Sequence, residues 1–350
     1  MTIETEGPIA PAAAGDVLYL AHADVVAAVR MVDAIDAVAL GCKMSEAGNL
    51  VVGERQNLRF TGGWIRLMPA AMLQSGVFGY KEFHLIADAE HDEPRARVRY
   101  FVHLFDLTDG RPLAVVDANY LTALRTGAAA AVATARMAAP ESSTLAVIGS
   151  GGEARTQVEG ALAVLPITSI RVFSPRAESR ERFATELADR FGIEVLPVAD
   201  PRTAVRGADV VIAATLTDGQ PALEGAWLEP GQHVASIGST MPEQREIDPE
   251  VWRRATQTVV DTRQVLVESG DALVAAAEHA IDEGSVGDLV DLVVGRVSGR
   301  TSRDEITLYK SVGTGMQDLV VAELAYRRAK EKGIGTWQIK PHLLKYIKPN

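Results

Sequence analysis

Gly149, Gly151 and Gly152 lie in the run AVIGSGGEAR, residues 146–155, where small apolar residues lead straight into glycines and then into a helix-forming stretch. Side chains are excluded where something must approach the backbone closely. The order Gly149-Ser150-Gly151-Gly152-Glu153-Ala154 is a G-x-G-x-x-A pattern. Between a strand and a helix, its first small residue permits a tight turn, the second admits a pyrophosphate, and the third lets helix and strand pack closely. Free N–H groups and the helix dipole then hold the phosphates. A lone motif of this kind also fits a Gly-rich turn with no ligand. The further strand and helix alternations C-terminal to it supply the context a dinucleotide site requires.

The end of the second strand bears on which dinucleotide. An NAD site places an acidic side chain there for the ribose 2′-hydroxyl. Here VFSPRAESR offers Ser174 and Arg176 instead. A hydroxyl and a guanidinium suit a 2′-phosphate, so NADP(H) is expected, with NAD(H) still open. In the alternative, Arg176 is a solvated loop residue and Glu178 takes the acidic role. Thr215, closing VVIAAT, is expected beside the cofactor because a strand ends there at the crevice.

These residues need a frame to hold them. With 350 residues, 47% of them hydrophobic and 5% aromatic, the chain is long enough for two domains with separate cores. A net charge of -11 and a pI near 5.2 argue against nucleic acid or an anionic membrane as a partner. Cys42 is the sole cysteine, and the first residues are acidic and Pro/Ala-rich, which supports neither a disulfide framework nor a signal peptide. No apolar run reaches the roughly 20 residues of a membrane helix, and a cytoplasmic location is expected. The seven histidines are scattered, and Asp106, Asp109 and Asp117 fall in a hairpin region, so no metal is expected.

Residues 1–16 read as a flexible tail, succeeded by helical spacing through DVVAAVRMVDAIDAVALGCKM. From Leu50 to Val116 the pattern changes to short alternating strands around an Asp109-Gly110 turn, an antiparallel sheet. An Ala-rich helix stopped by Pro140 forms the hinge to the second half of the chain. Beyond it, strands at Leu145–Ile148, Ile170–Phe173, Val195–Pro197, Val210–Ala213, His233–Ile237 and Thr258–Val260 alternate with helices, as in a parallel sheet. A last helix runs from Gly315 to about Lys332, where Gln317 and Asp318 are read as capping or aligning it. The final tail, with Trp337 and Tyr346, is expected on a partner subunit. The fold class is α/β: a Rossmann-type dinucleotide-binding domain over 127–314, beside an α+β domain over 17–126 and 315–350 for substrate binding and dimerisation.

Several segments in order, LMPA, GYK, DGRPLAVVDANYLTALRTGAAAAVA, IGSGGEAR, GADVVIAAT, PGQHVASIGSTMPEQREID and EITLYKSVGTGMQDL, resemble the ornithine cyclodeaminase / mu-crystallin family over residues 17–340. The resemblance implies a homodimer that uses NAD(H) or NADP(H) on amino acids and their imines. It implies that Arg125 grips the substrate carboxylate and that Lys81 is the active-site lysine. It also implies a second carboxylate-binding arginine, matched best by Arg55 with Arg59 left open. Thr126, beside Arg125, and Gly238 and Ser239, in SIGST, join the cofactor-binding set. His84, three residues from Lys81, falls on the opposite strand face.

Two departures shape the expectation. Where cyclodeaminases carry an aspartate for deamination and ring closure, SIGSTMP has Thr240, which could order a water. Where they carry a glutamate for the ornithine side-chain ammonium, WIRLMP has Arg66. An arginine facing an ammonium in a dry site costs several kcal/mol, whereas a second carboxylate would be welcome. The expected activity is therefore NADP(H)-dependent reduction of a small 2-imino acid, with a dicarboxylic one such as iminosuccinate favoured, or the reverse amino acid dehydrogenation. Arg125, Arg55 and Arg66 would bind substrate, and Lys81 would move the proton. The alternatives are an ornithine or lysine cyclodeaminase with tightly bound NAD, and a non-enzymatic binding protein like mu-crystallin. For Arg66, the competing reading is a surface residue pointing away from the site.

Overall fold

The computed structural model describes residues 17–88, 95–217 and 219–338. The expected tail over 1–16, and Tyr346, lie outside the described residues.

Two sheets carry the fold. The first holds β1 (Val17–Leu20), β2 (Leu50–Val52), β3 (Gln56–Phe60), β4 (Gly63–Met72), β5 (Val77–Asp88), β6 (Arg95–Asp106), β7 (Pro112–Asp117) and β16 (Thr336–Gln338). Helices α1 (His22–Ala28) and α2 (Met31–Glu46) come after β1, and α3 (Asn119–Met137) comes after β7. The order is β16-β1-β7-β6-β5-β4-β2, with β3 on β4. The long strands β4, β5 and β6 pair antiparallel, and their side chains alternate between faces. Trp64, Met68, Ala70 and Met72 thus turn to the same side of β4 and are buried.

The second sheet is parallel throughout: β8 (Thr144–Ile148), β9 (Ser169–Phe173), β10 (Glu194–Pro197), β11 (Val210–Ala213), β12 (His233–Ser236), β13 (Gln257–Val260), β14 (Gly287–Asp288) and β15 (Thr307–Lys310). Its helices are α4 (Gly152–Val164), α5 (Ala177–Phe191), α6 (Pro201–Val205), α7 (Pro249–Arg254), α8 (Val265–Glu268), α9 (Gly270–Ala277) and α10 (Leu289–Val294), and α11 (Gly315–Lys332) comes after β15. Burial explains why the inner strands are almost uninterruptedly apolar. The order β10-β9-β8-β11-β12-β15-β13-β14 reverses direction between β8 and β11, which opens the crevice where ligands of such sheets bind.

Each of the six expected parallel strands forms. The sheet also contains β15, which no sequence pattern marks and which inserts between β12 and β13. Two further expectations change. Trp337 sits in β16 and pairs with Leu18 of the chain's own first sheet. The Ala-rich α3 is not a thin hinge but a wall: residues 121–122 and 124–134 are buried, and one continuous core runs from Leu104 and Val116 of the first sheet through α3 to Val147 and Val172 of the second. Close packing of α3 on α4 needs glycine, since a Cβ on Gly127 would strike the Thr156 carbonyl. That crossing brings Arg125 and Thr126 to the start of α4. No helix among the described residues is long and apolar enough to cross a membrane.

Candidate active site

A cleft of about 740 Å³ runs between the two sheets, from Ser174 and Arg176 at one end, past the glycine turn, to Arg66 and Trp64 at the other. Gly149 has φ +117°, and a Cβ there would collide with the Ala214 carbonyl. Gly151 and Gly152 face open space, so that nothing lies within 4 Å of an added Cβ at either one. Both line the cleft at the start of α4. Ser150 Oγ donates to Ser174 Oγ at 3.0 Å, and Arg180 Nη1 donates to the Ser174 carbonyl at 3.1 Å, which fixes the turn after β9. Ser174, Arg176 and Ser179 line this end, whereas Glu178 is exposed and stays outside the lining.

Thr215 and Gly238 line the middle of the cleft and are tied together by Glu246, a fully buried carboxylate that no sequence motif singles out. Its Oε1 accepts from Thr215 N and Oγ1 at 2.6 and 2.9 Å, and its Oε2 from Ser236 Oγ and Gly238 N at 2.6 and 2.7 Å. Ser239 departs from the expected cofactor set, whereas Ala154 keeps the packing role expected of the motif's third small residue. Ser239 Oγ turns inward to the Gln244 carbonyl at 2.9 Å, because Gly238 and Thr240 on either side of it face the cleft. Ala154 is fully buried beneath the turn, where its small size serves helix and strand packing.

At the other end the sheet supplies one face. Trp64, Arg66 and Met68 of β4 stand opposite Leu85, Phe83 and Lys81 of β5, and Tyr100 of β6 pairs with Phe83. All line the cleft, and Arg66 is therefore directed inward, with a side chain 11% exposed. His84 turns to the other face, where it lies 3.7 Å from Glu82. Lys81 is buried, and its Nζ donates to Asp318 Oδ1 at 3.0 Å. Arg125 Nε donates to that same oxygen at 2.8 Å, and Arg125 Nη1 donates to Gln317 Oε1 at 2.9 Å. Burial, then the Arg125 charge, pulls the Lys81 ammonium down to about 8 against the opposing pull of Asp318. Asp318 is thus a hub of the site and not a helix cap. Its sequence signal is its place in EITLYKSVGTGMQDL, which does not reveal its partners.

Asp261 sets the loop opposite. It accepts from Val312 N, Gly313 N and Gln317 Nε2 at 3.1, 2.7 and 3.2 Å. Glu153, expected to serve the cofactor, projects toward the substrate end: its charge acts on Arg125, Lys81 and Asp318, its Oε2 has no partner, and burial raises its pKa. Thr240 also lines the cleft and shares Gln244 Oε1 between its N and Oγ1, at 2.9 and 3.3 Å.

Of the three other arginines, Arg55 lies behind the lining, donating to Glu268 Oε2 at 2.6 Å and to the carbonyls of Val312 and Gly313. Arg59 is exposed and stacks on Trp64 at 5.7 Å. Arg66 covers the same ring at 5.1 Å and donates Nε to Asn57 Oδ1 at 2.8 Å. Burial, then the Arg55 charge, draws Arg66 down to about 10. Among the described residues no group of three or more His, Cys, Asp or Glu side chains is placed to hold a metal ion.

The cleft brings together Lys81 and Arg125, the pair that the sequence resemblance implied, and adds Asp318 between them. The sequence profile of the ornithine cyclodeaminase/mu-crystallin family matches residues 16–333. The chain belongs to this family. Solved relatives within it share the fold over nearly their whole length. A Δ1-pyrroline-2-carboxylate reductase of Thermococcus litoralis, in complex with NADH and L-proline, superposes with a TM-score of 0.86 at 33% identity, covering 91% of this chain and 99% of its own. An archaeal alanine dehydrogenase dimer with bound NAD gives 0.85 at 30%, covering 92% and 99%. The iminosuccinate reductase of Paracoccus denitrificans, in complex with NAD+, gives 0.83 at 25%, again covering 92% and 99%.

Proposed function

We propose that this member of the ornithine cyclodeaminase/mu-crystallin family is an NADP(H)-dependent reductase of small 2-imino acids, selective for a dicarboxylic one, working as a homodimer. The oxidoreductase class is supported by the imine reductases and the alanine dehydrogenase it resembles. The observation that carries the substrate class is Arg66. It faces the cleft from the same sheet face as Lys81, and Glu268 is the carboxylate that stands against Arg55 and Arg66, with the Arg59 charge nearby. Such an end repels an ammonium and attracts a second carboxylate.

The relatives named above hold NAD(H), while NADP(H) preference here rests on Ser174, Arg176 and Ser179 and on the outward position of Glu178. The cofactor supplies hydride to the imine carbon. Arg125 binds the α-carboxylate: Nε and Nη1 are spent on Asp318 and Gln317, and Nη2 remains for substrate. Arg66 takes the distal carboxylate, and between these clamps the imine is held for reaction. The Lys81 ammonium gives its proton to the imine nitrogen, and its depressed pKa makes it an effective acid near neutrality. Thr240 and Gln244 hold a water at the edge of the cleft.

Stoichiometry tests this reading against a cyclodeaminase. Oxaloacetate with ammonia should consume one NADPH per amino acid formed, and ornithine should release no ammonia. Ammonia from ornithine with no net change in cofactor absorbance would reject the reductase.

A further inference from the structure

Beside the arginine end of the cleft stands a carboxylate of the protein's own. Glu268, the last residue of α8, places Oε2 2.6 Å from Arg55 Nη1 and 4.0 Å from Arg66 Nη2. Two guanidiniums thus converge on one oxygen. Both are held from behind: Arg55 by the Val312 and Gly313 carbonyls, and Arg66 by Asn57 and the Trp64 ring. The three partners differ in freedom, since the Arg55 side chain is 6% exposed and that of Glu268 is 20% exposed. The arginines form a fixed socket, and the glutamate is the part able to leave it.

The contacts are also unequal. At 2.6 Å the bond to Arg55 is a full charge-assisted hydrogen bond, whereas 4.0 Å to Arg66 is an ion-pair distance with no hydrogen bond. Arg66 lines the cleft, and the like charges of Arg55 and Arg59 act on it. One carboxylate does not neutralise three guanidiniums, so a second is drawn to the socket.

We propose that Glu268 occupies, in the free protein, the socket that the distal carboxylate of a dicarboxylic substrate takes from it, and that Glu268 thereby sets the selectivity between dicarboxylic and monocarboxylic imino acids. This rests on the reductase reading above. Binding of a dicarboxylate draws Arg66, which lines the cleft, from Glu268 to the substrate. The glutamate swings to solvent or remains as a like charge that lowers affinity. A monocarboxylate leaves the pair undisturbed.

The test compares wild type with Glu268→Gln and Glu268→Asp, using oxaloacetate plus ammonia and pyruvate plus ammonia under NADPH. In Glu268→Gln the ratio of dicarboxylic to monocarboxylic kcat/KM should rise about tenfold, the scale of one like-charge contact, through a lower KM for the dicarboxylate. Glu268→Asp, which keeps the charge, should move the ratio less. An unchanged or lowered ratio in Glu268→Gln, or an equal rise in Glu268→Asp, overturns the proposal. Calorimetric binding of malonate to the NADP+-loaded protein separates the two readings without turnover. Tighter malonate binding in Glu268→Gln supports the socket even if wild type reduces no imine, whereas unchanged binding overturns it even if the reductase activity stands.

Discussion

Lys81 Nζ and Arg125 Nε share a single oxygen, Asp318 Oδ1, at 3.0 and 2.8 Å. Two buried cations on one carboxylate leave the lysine under-neutralised, and burial beside Arg125 holds it down to about 8. If Lys81 is the acid in imine reduction, the rate is full while the ammonium persists and falls as pH rises through about 8. Asp318→Asn removes the charge that favours the ammonium, so this descending limb should move to lower pH. Breaking the buried pair should also cost about 3–5 kcal/mol of stability. Lys81→Ala should lose roughly 100-fold or more in turnover with NADPH binding intact. A limb that stays in place in Asp318→Asn, or near wild-type rate in Lys81→Ala, would show that the proton comes from elsewhere.

Under the proposed NADP(H) preference, Arg176 is the residue that would meet the 2′-phosphate. Arg176→Ala should raise the KM for NADPH by roughly 10- to 100-fold, the worth of a charge-assisted hydrogen bond, and leave that for NADH little changed. Equal KM values for the two cofactors in wild type would transfer the role to another group or abolish the preference.

Gly313 stands against Arg125 at φ +82°, and a Cβ there would lie 2.5 Å from Arg125 Nη1 and 2.8 Å from Nη2. Gly313→Ala should therefore displace the guanidinium as well as strain the loop. We expect kcat/KM to fall roughly 10- to 100-fold, as misplacement of a substrate clamp does, with a stability loss of about 1–2 kcal/mol from the backbone. Full activity in a folded Gly313→Ala protein would contradict the role given to Arg125.

The parallel sheet is legible in the sequence because its strands are local apolar runs set between helices, and that alternation gives the glycine turn its meaning. β15 is harder to see, since TLYK ends in a lysine that is wholly buried in the structure. β1 and β16 pair across 319 positions of separation, from Leu18 to Trp337, and nothing in either short segment encodes the other. The site divides in the same way. Lys81, Arg125 and Arg66 stand in recognisable motifs, and strand alternation places Arg66 and Lys81 on one face. Their carboxylate contacts carry no such signal, although Asp318 itself stands in EITLYKSVGTGMQDL. Asp318 meets Lys81 from 237 residues away, and Glu268 meets Arg55 from 213. Ser239 is misassigned from sequence because a run of small residues after a strand does not reveal which of them turns inward.

The most direct test of the central claim is NADPH oxidation, monitored by absorbance, with oxaloacetate plus ammonia, pyruvate plus ammonia, and Δ1-pyrroline-2-carboxylate offered in parallel. Oxaloacetate plus ammonia should give the highest kcat/KM, and Arg66→Gln should lose that advantage. A cyclic or monocarboxylic imine reduced best by wild type, or an oxaloacetate advantage that survives Arg66→Gln, would contradict that claim.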